Sequence, residues 1–160
     1  MDRVDLNLKM DLTSLQRLQR ISGPALQRAE EKGALQFLTW ANTGSGGSKS
    51  PAKPPIRFGI LRGSSSTFVN GKLVGVYPQN IRSGTIEKPT PAKSTNKKNI
   101  VWVWNTGYAT KMHEGEYELG EFSAKDGNAG PKWIEKHLQA DKEALIDFIG
   151  EEFFKETGIR

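Results

Sequence analysis

Val4, Leu6, Leu8 and Met10 alternate with Asp5, Asn7 and Lys9, and this period of two predicts a strand with one buried face. The period then lengthens. Leu12, Leu15, Leu18 and Ile21 fall on one stripe of a helix. Ser22-Gly23-Pro24 predicts its end, because proline fits the first turn of a helix better than its interior. A second helix is expected over residues 24–40. There Leu26, Ala29, Gly33, Phe37 and Trp40 or Ala41 keep helical spacing, and Gln27, Arg28, Glu31 and Lys32 fill the wet side. Further on, Asn70-Gly71 is the preferred pair for a tight hairpin turn, so strands are expected near 66–69 and 72–77, with another short one within 79–86. From Trp133 the pattern is helical again, through Ile134, His137, Leu138, Leu145, Ile146, Ile149 and Phe153. Asp141 caps or continues this helix, and Gly158 marks its end.

The segment 100–115, IVWVWNTGYATKMHEG, has a pattern of its own. Val101-Trp102-Val103-Trp104 is apolar at every position, so both faces of this strand need cover. One cover is the chain's own core, and a neighbouring subunit is a candidate for the other. The strand then runs into Asn105-Thr106-Gly107, a turn, and a polar tail ending in His113-Glu114-Gly115.

Two stretches carry no apolar period. Residues 42–55 (NTGSGGSKSPAKPP) and 87–99 (EKPTPAKSTNKKN) are rich in glycine, serine, proline and lysine, and both are expected to be flexible loops. The order of elements predicts a single α+β domain across 1–160. Its mostly antiparallel sheet would pack against a long N-terminal helix and a C-terminal helix.

Composition narrows the function classes. With 160 residues the chain can bury a substantial core. The absence of cysteine excludes disulfides, thiolate nucleophiles and cysteine-based metal sites. No run approaches the roughly 20 apolar residues of a membrane span, and the first residues lack the apolar core of a signal peptide, so a cytosolic protein is expected. The net charge of +5 conceals two unlike halves. Residues 111–160 hold 12 acids and 7 bases, whereas residues 1–110 hold the other 6 acids and 16 bases. Such a division suits either a nucleic-acid face or head-to-tail association.

Candidate chemistry is sparse. TGSGGSKS at 43–50 resembles a phosphate-binding loop, but Ser48 rather than glycine precedes Lys49, and prolines follow where a helix is required. His113-Glu114 begins like a zincin motif without its second histidine, and His137 is the only other histidine in the chain. Glu114, Glu116, Glu118 and Glu121 form either a solvated loop, a patch for a basic partner or a source of acid–base carboxylates. No serine–histidine–aspartate arrangement is evident, and no enzyme activity, metal or cofactor is expected. The lysines of the two loops can contact phosphates without reading sequence. Trp102 and Trp104 share one face of their strand, and one face is a candidate interface.

Three segments, taken in order, resemble one family. PIRFGILRGSSS at 55–66 carries Pro55, Gly59, Leu61, Arg62 and Ser64 in the pattern Pro-x-x-x-Gly-x-Leu-Arg-x-Ser. NTGYATKMHEG at 105–115 carries Asn105, Thr106, Tyr108, Ala109, His113, Glu114 and Gly115 in an Asn-Thr-x-Tyr-Ala…His-Glu-Gly pattern. GPKWIEKHLQADKEALIDFIGEEF at 130–153 is similar to a Gly-x-Lys-aromatic-Leu entry into a C-terminal helix, with Trp133 and Ile134 at the last two positions. Together they resemble the tail-completion or neck (head–tail joining) proteins of tailed bacteriophages, over most of residues 11–157. The glycine-rich loop at 42–50 and the basic insertion at 87–99 depart from that pattern.

The resemblance implies a structural protein of the virion, assembled in the host cytoplasm. It implies a homo-oligomeric ring, commonly a hexamer, between the head connector or adaptor and the tail terminator or tail-tube protein, with packaged double-stranded DNA passing through the lumen. On that reading Lys49, Lys53, Lys93, Lys97 and Lys98 are candidate contacts to DNA or a partner. Trp102, Trp104, Tyr108, His113 and Glu114 are candidate subunit-interface residues. The alternatives are a tail terminator ring capping the tail tube and a non-specific DNA-binding protein.

Overall fold

The computed structural model describes residues 4–6, 13–81, 84–86, 89 and 100–158, with backbone alone for 4–6 and 13–22. The chain is α+β, as its periodicities predict. Strand β1 (Val4–Leu6) is followed by helix α1 (Thr13–Thr43), the short helix α2 (Ile60–Gly63), and strands β2 (Ser65–Val69), β3 (Lys72–Val76) and β4 (Ile100–Trp104). Helices α3 (Ala109–Glu114), α4 (Glu121–Asp126) and α5 (Trp133–Thr157) complete it. The sheet is antiparallel throughout, in the order β1-β4-β2-β3, so β3 forms one edge.

The hairpin forms where the Asn-Gly pair predicts it. Asn70 and Gly71 both adopt positive φ, 53° and 80°, which a two-residue turn of this hand requires, and Val69 pairs with Lys72 across it. A register shift between Thr67 and Phe68 then kinks the pair. Helix α5 ends at Gly158, whose φ of 66° lets its N–H reach Phe154 O at 2.9 Å. Among the described residues of 79–86 there is no strand, in contrast to expectation.

The expected break before residue 24 does not occur: α1 runs unbroken for 31 residues with Pro24 inside it. Proline leaves the carbonyl one turn earlier without its intrahelical donor. Pro24 is exposed, so water can serve that carbonyl, and the flanking apolar stripe outweighs the lost bond. That stripe is double. Helix α1 lies across the sheet on one side and along α5 on the other.

The core sits between these layers. Ile100, Trp102 and Trp104 of β4 and Val69 of β2 face Leu26, Ala34, Phe37 and Leu38 of α1, with Leu145, Ile149 and Phe153 of α5 behind. Phe37 packs on Trp102 with ring centroids 4.5 Å apart. Each fully buried side chain of this kind contributes roughly 1.5–3 kcal/mol. The indole N–H groups are satisfied by α1, since Trp102 donates to Ala34 O at 2.8 Å and Trp104 to Asn42 Oδ1 at 3.2 Å. On the other face of the sheet Phe68, Val101 and Val103 form a second buried cluster. Both faces of β4 are thus covered, as its sequence requires, and within a single chain. The neighbouring subunit proposed as one cover is not needed for it.

Candidate functional site

The three segments singled out in the sequence lie far apart along the chain, and the fold brings them together at the Ser65/Trp104 end of the sheet. Asn105 N–H donates to Ser64 O at 3.2 Å, joining the second segment to the first. Lys132 N–H donates to His113 O at 2.8 Å, joining the third to the second. His113 packs edge-on against Trp133, ring centroids 4.8 Å apart, and Trp133 packs in turn against Trp104.

The first segment is fixed by its own special residues. Gly59 has φ 87°, and a Cβ there would lie 2.6 Å from Asn80 O, so the turn into α2 needs glycine. Arg62 is buried, donates to Pro54 O from Nε at 3.0 Å and from Nη2 at 2.7 Å, and forms an ion pair with Asp126. Lys53 joins the same carboxylate at 3.3 Å. Burial pushes the Asp126 carboxyl up, but hydrogen bonds and charge from Arg62 and Lys53 outweigh it and hold the group below its usual range.

The stretch 42–55, expected as a flexible loop, begins as the last residues of α1 and is then pinned from Gly46 onward. Trp40 Nε1 donates to Gly46 O at 2.8 Å. Asp141, fully buried on α5, accepts from Lys49 N–H at 2.6 Å and from Ser48 Oγ at 2.6 Å. His137 lies one turn before it, with Nδ1 2.7 Å from Asp141 Oδ2 and Nε2 2.6 Å from Ala52 O. Ile56 N–H and C=O both bond Ser123 Oγ, at 2.8 and 2.9 Å. Burial pushes the Asp141 carboxyl up, but Ser48, His137 and the Lys49 amide together hold it low.

Ser48, His137 and Asp141 therefore do meet, unlike the sequence expectation. Their geometry differs from that of a nucleophile relay. The Nε2 that would serve a serine in such a relay donates to a backbone carbonyl, and Ser48 shares Nδ1 and Oδ2 on the opposite side, with Ser50 O a further 2.8 Å neighbour. The cluster fastens the loop to α5.

The two histidines belong to separate clusters, each with its own carboxylate. His113, Glu114 and Glu135 bring ligand atoms within 4.8 Å of one another, a set able to hold a cation. Lys132 supplies that positive charge, bonded to Glu114 and lying 3.3 Å from Glu135. The Lys132 ammonium and the His113 ring hold the Glu114 carboxyl below its usual range.

The candidate contact residues divide sharply. Trp102, Trp104 and His113 are only 1–2% exposed and offer no surface to a neighbour, because the chain's own helices take up their faces. Tyr108, at 43%, and Glu114 do reach solvent. Lys49 is exposed, whereas the Lys53 ammonium is spent on Asp126 inside the fold. Lys93, Lys97 and Lys98 lie outside the described residues.

An exposed apolar surface that the sequence reading missed lies beside Tyr108. A groove of 710 Å³ is walled by the first segment from Pro55 to Leu61, by Tyr108 and Met112, and by residues 117–123. Phe58 (38%), Leu119 (39%) and Phe122 (47%) stand exposed along it. The Arg57 guanidinium lies 4.8 Å from the Phe58 ring centroid. The sequence signal for the groove is the set of apolar residues Tyr117, Leu119 and Phe122 set among the acids of 116–122. Burial pushes the Tyr117 hydroxyl up to about 12, and that hydroxyl donates to Met112 O at 2.7 Å, tying two lining residues of the groove together. Comparison with protein-family models, with curated proteins and with solved structures finds no match to this chain.

Proposed function

We propose that this chain is a structural protein of the bacteriophage neck, completing the tail and joining it to the DNA-filled head as a ring of identical subunits, without catalysis. The observation that carries this reading is convergence. The segments at 55–66, 105–115 and 130–153, which resemble tail-completion signatures only in combination, pack against one another and leave an apolar groove exposed beside them. Segments that form one unit in space are better evidence than three short patterns scattered in sequence.

A protein whose work is to join others needs apolar surface outside its core. Phe58, Tyr108, Leu119 and Phe122 supply it, on a chain whose acids and bases are segregated in sequence. The Arg62–Asp126 pair and the Ile56–Ser123 bonds hold the segments that shape this surface.

The test is electron microscopy of particles made by the encoding phage without this chain. Filled heads and finished tails that remain separate are expected. Tails of uncontrolled length would point to a tail terminator instead, and normal joined particles would overturn the proposal.

A further inference from the structure

Asn70 is the one asparagine of this chain that precedes a glycine, and the fold sets that pair at the tip of the β2–β3 hairpin. Both residues are exposed, and a Cβ at Gly71 would meet nothing within 4 Å. The Gly71 amide nitrogen has no side chain beside it, so it can approach the preceding side chain closely. Asn70 itself has φ 53°, in the left-handed region that a residue with a Cβ enters only at a cost. Behind the turn the ladder is short. Val69–Lys72 and Phe68–Leu73 pair before the register shift interrupts it, and β3 is an edge strand among the described residues. Fraying this end moves Lys72 and Leu73, which are exposed, and leaves the buried Phe68 and Val69 in place on β2.

We infer that Asn70–Gly71 is a site of self-modification in the folded protein, converting asparagine to aspartate and isoaspartate. In the frayed turn Asn70 ψ rotates and the Gly71 nitrogen attacks Asn70 Cγ. The new N–Cγ bond closes a succinimide ring. The side-chain nitrogen leaves as ammonia, taking the proton that Gly71 N gives up. Water then opens the ring. Breaking the N–Cγ bond gives aspartate, and breaking the bond from Gly71 N to the Asn70 backbone carbonyl carbon gives isoaspartate. No oxidant or reductant is consumed. Either product places a carboxylate beside Lys72. Isoaspartate also lengthens the main chain within a two-residue turn, so the Val69–Lys72 pair no longer closes as before.

Two other positions show what the site requires. Asn128 is also exposed, with φ 54°, but Ala129 follows it and its methyl crowds the nitrogen. Asp126 precedes Gly127 and could form the same ring by losing water, but its carboxylate is bound by Arg62 and Lys53. The reaction stands apart from the neck reading and does not depend on it.

Full-length protein is held in mildly alkaline buffer made with heavy-oxygen water, then digested with trypsin in ordinary water. Cleavage after Arg62 and Lys72 releases residues 63–72, in which Asn70 is the only asparagine. Mass spectrometry should find a heavy oxygen in two separable products of this peptide, formed at least tenfold faster than any product at Asn128. Amide exchange in the converted protein should quicken at Lys72 and stay unchanged in β4. Asn70→Gly keeps a pair suited to the turn and should remove the product without changing Asn128. Conversion no faster than at Asn128, conversion only in urea, or products carrying ordinary oxygen alone would overturn the site. Unchanged exchange at Lys72 after conversion to isoaspartate would overturn its effect on the turn.

Discussion

Gly33 of α1 packs directly against Ile149 of α5. A Cβ at this position would lie 2.4 Å from Ile149 Cγ1 and 2.9 Å from Ile149 Cδ1. Ile149 is 0% exposed, so it has no free direction in which to retreat. Two effects oppose each other in Gly33→Ala. Helix propensity favours alanine by about 1 kcal/mol. Overpacking a filled core costs about 1–3 kcal/mol, and a contact this short belongs at the upper end. The net expectation is a loss of about 2 kcal/mol. Removing Ile149 reverses the sign. Ile149→Ala alone should cost about 2–5 kcal/mol through its cavity. In that background the new methyl enters vacated space and the propensity gain of about 1 kcal/mol survives. A double-mutant cycle should therefore show favourable coupling of about 2–3 kcal/mol. Urea unfolding of the four proteins, followed by tryptophan fluorescence, measures it. A Gly33→Ala protein more stable than wild type, or an equal effect in both backgrounds, would refute the close packing of these helices.

Three further outcomes are expected. Asp126 and Asp141 have carboxyls held low in the folded state, against about 3.9 when unfolded, so the unfolded chain binds more protons between those values. Their stabilisation is complete above about pH 5 and is lost as pH falls through the folded values; denaturation from pH 7 to 2 should show that fall, and Asp126→Asn/Asp141→Asn should flatten it. His137→Ala removes the bridge between Ala52 O and Asp141, leaves buried acceptors unpaired and should cost about 2–4 kcal/mol, with early proteolysis within residues 44–56 as the local readout. Lys53→Ala, which strips a half-buried carboxylate of one cation, should lower the thermal midpoint, whereas Lys49→Ala at an exposed side chain should change it little; equal effects in calorimetry would contradict the division between them.

What the sequence revealed was what local chemistry decides. The hairpin turn needs only Asn70 and Gly71, and the end of α5 needs only Gly158. The unbroken apolar run of β4 stated its own burial on both faces. What it hid depends on partners far along the chain. Ser48 and Lys49 appear mobile beside their glycines until Asp141, 92 residues after Lys49, takes their hydrogen bonds. Lys53 looked like a free cation because Asp126 was not yet beside it. Pro24 predicted a break because its exposure in an otherwise sound helix is a tertiary fact. Short α3 and α4 give too few turns for a period to show. The groove was invisible for the same reason. Phe58 and Phe122 lie 64 positions apart, and nothing local tells an exposed phenylalanine from a buried one.

Head–tail joining is the proposed work of this chain. It is tested most directly by adding the purified full-length protein to filled heads and finished tails isolated from particles made without it, and counting infectious particles. Joining and infectivity should return in proportion to added protein. Heads and tails that join equally well without the protein would contradict it.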